Sequence, residues 1–351
     1  MSELKTVYST KEEIRDELIQ FGIDAATADI LAQQAKPAVW LETRKVDDEA
    51  AIAIGATKLG GRPDLPANTA LPRRPAYPDA EKRTNYIREE ISDPDKAWSW
   101  AKPEQREEIR QEAIEHIRMV ESEQPLSFVA QINLAEMWAA GTLDPDIPQR
   151  GIVSIFYDMV EQPWGFAPSD RIGFAILFHE DDSKLVRRDE PDELRSLPSS
   201  YRLSPVACTA HPCITPLPLK SAQYSDLGLS GKLTDQLWDW WSEDAHLYSS
   251  ENGEDWKCHH IGGWATPVQG DMQIECALVS AGHNCDAFAY KDSALASIRA
   301  TAADWLLLAQ IGTDEKGGMM WGDDGQLYVW IRRDDLKARR FENAHLILQC
   351  Y

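Results

Sequence analysis

Apolar residues along this chain follow two periods, helical and alternating. Ile14, Leu18 and Phe21 lie one helical turn apart behind Thr10, which has capping-box spacing to Glu13. Gly22 ends that helix, and Asp24 can cap a second that runs through Ile30 and Leu31 to Pro37. Short β-like stretches follow near 51–54, and then Pro63, Pro66, Pro72, Pro75 and Pro78 exclude regular structure. Within 79–123, Ile109, Ala113, Ile117 and Val120 recur at helical spacing among charged residues, which predicts an amphipathic surface helix in an insertion. Residues 234–245, with Trp238 and Trp241, predict another helix. Two segments alternate or run apolar instead. In 126–134, Leu126, Phe128, Ala130, Ile132 and Leu134 share a face; 305–311 is apolar on both faces except for Gln310, as in a strand covered on both sides.

Three blocks occur twice, in the same order. Leu59-Gly60-Gly61-Arg62-Pro63 recurs as Ile261-Gly262-Gly263-Trp264-Ala265-Thr266-Pro267. Phe128-Val129-Ala130-Gln131-Ile132 recurs as Leu307-Leu308-Ala309-Gln310-Ile311, and the strand opening at Gly151 recurs at Gly325. The spacing between copies shrinks along the chain, as expected when the first copy carries insertions. The expected fold is α+β: two related, mainly antiparallel β units, an internal duplication, with helical insertions and an N-terminal helical cap. Residues 1–45 form the cap, 46–188 the first β-rich repeat with its charged insertion at 79–123, 189–230 a polar, Pro-rich connector, and 231–351 the second repeat, in one compact domain.

Composition narrows the function. Of 351 residues, 58 are acidic and 36 basic, a net charge of −22, which argues against broad contact with nucleic acid or an anionic membrane; such a field would steer in a basic protein partner, and solubility alone also accounts for it. No run approaches the length of a membrane span, and Met1-Ser2-Glu3-Leu4-Lys5 lacks the layout of a secretory signal. Six cysteines therefore read as reduced thiols, and a cytoplasmic location is expected. Thirteen tryptophans suit a large core or interaction surfaces.

Chemical signatures are sparse. There is no G-x-S-x-G elbow, H-E-x-x-H, Walker lysine or dinucleotide fingerprint. Prolines after Gly61 and Gly263 argue against a phosphate-binding loop leading into a helix. Gln131 and Gln310 are single amides in apolar strands; each either ties its strand to a neighbouring loop, or the two face a shared groove and grip a ligand. Cys258-His259-His260, with Cys276, His283 and Cys285 downstream, lacks paired metal-ligand spacing, so no metal and no cofactor are assigned. Asp314, Glu315, Asp323 and Asp324 lack the EF-hand pattern and read as an exposed hairpin loop.

The combination of Gly60-Gly61-Arg62-Pro63-Asp64-Leu65-Pro66, the 125–134 block, Trp164-Gly165-Phe166, His259-His260-Ile261-Gly262-Gly263, Trp321-Gly322-Asp323 and the ending Leu348-Gln349-Cys350-Tyr351 resembles the YwqG-like family. It departs from the family in having Leu71-Pro72 after the Pro-rich turn, and in its long charged insertion. The resemblance implies a cytosolic α and β fold of unknown function. The leading expectation is a non-enzymatic protein-binding module with a basic partner, such as a basic toxin that it neutralises. The alternative is an enzyme or small-ligand binder with a cleft between the repeats, in which Gln131, Gln310, His259, His260, Gly262, Gly263 and Trp264 would do the binding. No catalytic residue is assigned, and no pattern specifies an oligomeric state.

Overall fold

A computed structural model describes residues 7–198, 201–219, 221–229, 232–243 and 259–350. Its main feature is one ten-stranded, antiparallel sheet. In chain order the strands are β1 (Lys36–Lys45), β2 (Lys58–Leu59), β3 (Ser127–Asn133), β4 (Ile152–Tyr157), β5 (Phe174–His179), β6 (Val206–Thr215), β7 (His260–Gly262), β8 (Trp305–Gly312), β9 (Gln326–Arg332) and β10 (His345–Gln349). In space the order is β10-β9-β8-β7-β1-β6-β2-β3-β4-β5. β1 and β6 thus form the centre, paired from Lys36↔Thr215 to Lys45↔Val206. Each carries a four-strand flank in which a short strand leads to three longer ones.

The crossing of β1 and β6 corrects two sequence expectations. Residues 36–45 do not belong to a helical cap: they leave the helices at Lys36 and pair with β7, on the flank of the second half. Residues 206–215, placed in a connector, pair with β2 on the flank of the first half. Val39 and Leu41 face the core while Glu42, Arg44 and Thr209 are exposed, so both strands read from the sequence as polar, Pro-interrupted chain. The β-like stretch near 51–54 is instead a turn of 3-10 helix, Glu49–Ala51, capped by the Asp48 carboxylate on the Ala50 N–H at 2.9 Å.

Bulges decide which side chains face inward. The β3–β4 register shifts between Phe128 and Ala130, and the β8–β9 register between Leu307 and Ala309, positions aligned in the repeated block. A bulge sets two residues against one and re-aims those that follow. Val129, Ala130 and Ile132 therefore enter the central core together with Leu306, Leu308, Ala309 and Ile311. Phe128 and Leu307 pack on the outer face in separate clusters. The single-face alternation expected across 126–134 is broken for this reason.

The sheet curls into a nearly closed barrel. Its two outer edges meet through side chains and the 164–166 loop: the Leu348 N–H donates to the Trp164 carbonyl at 3.0 Å, His345 Nε2 to the Gly165 carbonyl at 2.8 Å, and Phe178 stacks on Phe341 at 4.4 Å. One apolar core built from both flanks fills the interior, where a fully buried Leu or Ile contributes roughly 1.5–3 kcal/mol.

Helices cover the outside. α1 (Lys11–Gln20) and α2 (Ala25–Gln34) begin at the Thr10 and Asp24 caps read from the sequence. They bury Ile14, Leu18 and Leu31 against Trp240 and Trp241 of a helix at Lys232–Glu243. The insertion folds as two long helices, Ala80–Ser92 and Pro103–Val120. Fully buried Arg74 anchors it to the barrel, donating to Asp158 Oδ2 at 2.5 Å and to the Ser122 and Met119 carbonyls at 3.0 and 3.1 Å. Among the described residues, no helix is long and apolar enough to cross a membrane.

Candidate functional site

The two Gly-Gly turns share one construction. Gly60, Gly61, Gly262 and Gly263 have φ of +61, +71, +68 and +76°, a region where glycine carries no steric penalty. The space is closed as well: a Cβ on Gly60 would lie 2.2 Å from the Ser204 carbonyl oxygen, and one on Gly263 2.7 Å from the Ala38 Cβ. These glycines allow the close approach of the chain around β1 and β6.

Gln131 and Gln310 hold the turns from the adjacent strands. Gln131 Oε1 accepts from the Asp64 N–H at 2.9 Å, and its Nε2 donates to the Ala56 carbonyl and Asp64 Oδ2 at 2.8 and 3.1 Å. Gln310 Oε1 accepts from the Thr266 N–H at 2.9 Å, and its Nε2 donates to Gln326 Oε1 at 2.6 Å. Asp64 and Thr266 occupy the same position after their glycine pairs. Both amides are fully buried, and β2, β6, β1 and β7 separate their strands in the sheet. They do not come together around a groove.

The other sequence-predicted residues gather on the second flank. His260 lies opposite Gln310 and donates from Nδ1 to the Gly262 carbonyl at 3.0 Å. Trp264 is buried among the helices, with its Nε1–H on the Gln34 carbonyl at 2.8 Å and the Lys36 ammonium 3.3 Å above the ring. Burial lowers Lys36 to about 8, so the indole face stabilises a partly desolvated cation. His259 accepts the Gly312 N–H at Nδ1 (3.2 Å) and sets Nε2 3.3 Å from Asp314 Oδ2, both residues being fully buried. Burial raises the Asp314 carboxyl, but contact with His259 and hydrogen bonds from Thr43 and Gly317 outweigh it and hold the group at about 2. Asp314 is thus an internal anchor of its turn rather than part of an exposed loop. Cys258 lies outside the described residues. Among the described residues, no three His, Cys, Asp or Glu side chains are placed to hold a metal ion.

Opposite Gln131 stands Lys58, in the register that His260 occupies opposite Gln310. Lys58 is fully buried; its ammonium donates to Glu49 Oε1 at 3.0 Å and to the Arg62 carbonyl, and lies 3.6 Å from Asp64 Oδ1. Arg187 donates from Nε to Asp64 Oδ1 at 2.9 Å and from its Nη atoms to the Glu49 and Ile52 carbonyls. Burial raises both carboxyls. Hydrogen bonds from Arg187 and Gly55 to Asp64, and from Arg62 to Glu49, outweigh that and hold both below the usual carboxylate range. Burial also pushes the Lys58 ammonium down, against the pull of Asp64 and Glu49. This ionic knot was invisible in the sequence, because Arg187 is 123 residues from Asp64 and no spacing links them.

An open groove lies elsewhere, between the helix Pro103–Val120 and the segment around Glu193–Tyr201. It encloses about 610 Å³ and is lined by four carboxylates, Glu112, Glu115, Glu123 and Glu193, against one guanidinium, Arg118, and the His116 imidazole, with Met119 and Tyr201 as apolar contacts. Glu115 pairs with Arg118 at 2.5 Å, and Glu123 and Glu193 share Arg73 at 2.6 and 3.0 Å. All three pairs are substantially exposed, a setting in which ion pairs contribute about 0–1 kcal/mol and exchange readily. Glu112 has no ion pair among the described residues.

The family model for DUF1963, a domain of unknown function, matches residues 57–350, the greater part of the chain. The chain belongs to this family. No curated protein matches it. The DUF1963 match takes in both Gly-Gly turns, both glutamines, the ionic knot from Lys58 onward and the acidic groove, and it begins after β1.

Buried titratable groups in the DUF1963 region set a pH prediction. Desolvation outweighs the carbonyl hydrogen bonds of His260 and His345 and holds both at about 4, so each contributes stability above the unfolded value near 6.5 that is lost as pH falls towards 4. Burial raises Asp271 to about 6 and Glu275 to about 7, with the opposite sign: their contribution is present near pH 4 and lost as pH rises through 6–7. The two effects oppose each other between pH 5 and 6.5. The double variant Asp271→Asn/Glu275→Gln is therefore expected to lose about 3 kcal/mol more than wild type on going from pH 6.5 to 5. Urea midpoints at the two pH values measure this; parallel behaviour of the two proteins would contradict it.

Proposed function

We propose that this protein is a non-enzymatic, cytosolic binding module that captures a basic protein partner in the groove beside the helix Pro103–Val120. The observation that carries the reading is the acid lining of that groove, Glu112, Glu115, Glu123 and Glu193, on a chain of net charge −22. Such a lining attracts Lys- and Arg-rich segments at long range and exchanges its weak internal pairs for the partner's cations on contact. A basic toxin neutralised by this protein is one partner of that chemistry. The employment of Gln131, Gln310, His260 and the Gly-Gly pairs as internal ties supports placing recognition outside the repeated blocks.

We also infer that the chain is one structural unit used twice, with the leading strands β1 and β6 exchanged between the two copies. The matched connectivity of the flanks, the aligned bulges and the shared Gln-to-turn hydrogen bonds support this. An exchanged strand makes each half incomplete alone, which favours a single rigid platform for the groove.

The test of the binding reading is calorimetric titration with an oligolysine peptide. Saturable binding that weakens as salt rises is expected, with a loss of at least ~10-fold in affinity for Glu112→Lys/Glu193→Lys. Binding that is indifferent to both salt and these substitutions would remove the groove from the account.

A further inference from the structure

A second cavity lies where the turn of 3-10 helix at Pro168–Gly173, from the first half, meets strands β8, β9 and β10 of the second. It measures about 450 Å³, and Arg171, Arg332, Trp305, Ser280, Asp335 and His345 are among its lining residues. None of them belongs to the repeated motifs.

The polar groups here are mismatched in sign. Neither Arg171 nor Arg332 has a carboxylate within ion-pair distance among the described residues, in a chain with 22 more acidic than basic side chains. Among the described residues Arg171 donates to backbone carbonyls alone, those of Phe174 at 3.2 Å and of Glu342. Arg332 donates from Nη2 to Ser280 Oγ at 3.2 Å and lies 5.2 Å over the Trp305 ring. Its Nε is buried without a hydrogen-bond partner among the described residues, and so is the Nε1 of Trp305, a residue only 3% exposed. The nearby carboxylate, Asp335, is already committed to Arg340 Nε and Asn343 Nδ2, each at 2.8 Å. His345 gives its Nε2–H to the Gly165 carbonyl. A buried donor left unpaired costs about 1–3 kcal/mol, and more for a charged group. Two guanidinium groups without a carboxylate thus line one cavity, and among the described residues Arg332 Nε and Trp305 Nε1 have no acceptor.

We propose that this cavity binds a small organic anion through a carboxylate or phosphate group, held by Arg332 and Arg171 beside the Trp305 ring. Guanidinium forks suit both groups, since either presents oxygens at bidentate spacing. The volume lies in the usual range for small-molecule sites and exceeds what one anionic group needs, so the ligand extends beyond its charge towards Val279, Pro168 and Ala344. The site draws residues from both halves, as a ligand pocket between the repeats should. It uses none of the side chains that the sequence suggested for one, and it is independent of the acidic groove.

The experiment follows the Trp305 indole resonance by ¹H–¹⁵N NMR on the intact protein, assigned with Trp305→Phe. Sodium phosphate and sodium acetate are titrated separately, with ionic strength held constant by chloride. A saturable shift of that resonance is expected. Response to phosphate alone identifies a phosphate-bearing ligand, and response to acetate alone a carboxylate. Arg332→Met and Arg171→Met should each weaken binding by at least ~10-fold, with partial recovery in Arg332→Lys. Arg171→Met, whose guanidinium comes from the other half, keeps the test decisive if Arg332→Met fails to fold. No saturable shift with either anion, or an unchanged response in the methionine variants, would overturn the proposal.

Discussion

Replacing Asp64 with alanine is expected to cost about 3–5 kcal/mol, the range for breaking a buried ion pair by removing one partner. The fully buried carboxylate accepts from Arg187 Nε, from the Gly55 N–H at 3.0 Å and from Gln131 Nε2, with Lys58 Nζ 3.6 Å away. Its removal leaves Lys58 and Arg187, both inaccessible or nearly so, sharing Glu49 alone. Lys58→Met should cost less, because Glu49 and Asp64 retain Arg62 and Arg187. The double variant Lys58→Met/Asp64→Ala should then lose less than the sum of the single losses, since one charge of each sign leaves together. Urea denaturation of the four proteins measures the coupling. Additive losses would show that the groups do not act as a unit.

Gln131→Leu and Gln310→Leu are each expected to cost about 2–4 kcal/mol, the sum of a lost tie and stranded buried partners. The Asp64 N–H and Ala56 carbonyl lose their partner in one case, the Thr266 N–H and Gln326 Oε1 in the other. Leucine fills the volume but accepts nothing, so the Gly-Gly turns loosen. The effects should be similar in size, because each amide makes the same contact to the fourth residue after the first glycine of its pair. Gln131→Leu and Asp64→Ala should be non-additive, whereas Gln131→Leu and Gln310→Leu, with four strands between them, should add. Midpoint shifts at constant denaturant dependence are the readout. A loss confined to one glutamine would contradict the shared role.

Much of the frame was legible because local chemistry and tertiary position agree. The Thr10 and Asp24 caps, the doubly covered strand Trp305–Gly312 and the strands opening after Gly151 and Gly325 are short-range patterns. The central strands were not legible. β1 begins Lys36-Pro37 and β6 contains His211-Pro212, and each exposes one face, so nothing local separates them from loop. Their pairing, β1 with β7 and β6 with β2, is set at long range, which periodicity cannot report. Of the candidate residues, Gln131, Gln310, His260 and the glycines were recognisable as special because they are polar or flexible amid apolar strands. That same signal marks buried ties as readily as ligand contacts, and here it marks ties. Arg171 and Arg332 gave no signal, since an arginine short of a carboxylate is defined by its surroundings in space.

The proposed function implies a division of labour: the recurring polar motifs hold the barrel, and a basic partner would bind at the groove outside it. Its most direct test is the affinity of the oligolysine peptide for Gln131→Leu protein, measured at low temperature where the variant is still folded. The account predicts an affinity within about twofold of wild type despite the lost stability, alongside the loss in Glu112→Lys/Glu193→Lys. Abolished binding in a folded Gln131→Leu protein, with binding intact in the groove variant, would contradict it and return recognition to the repeated motifs.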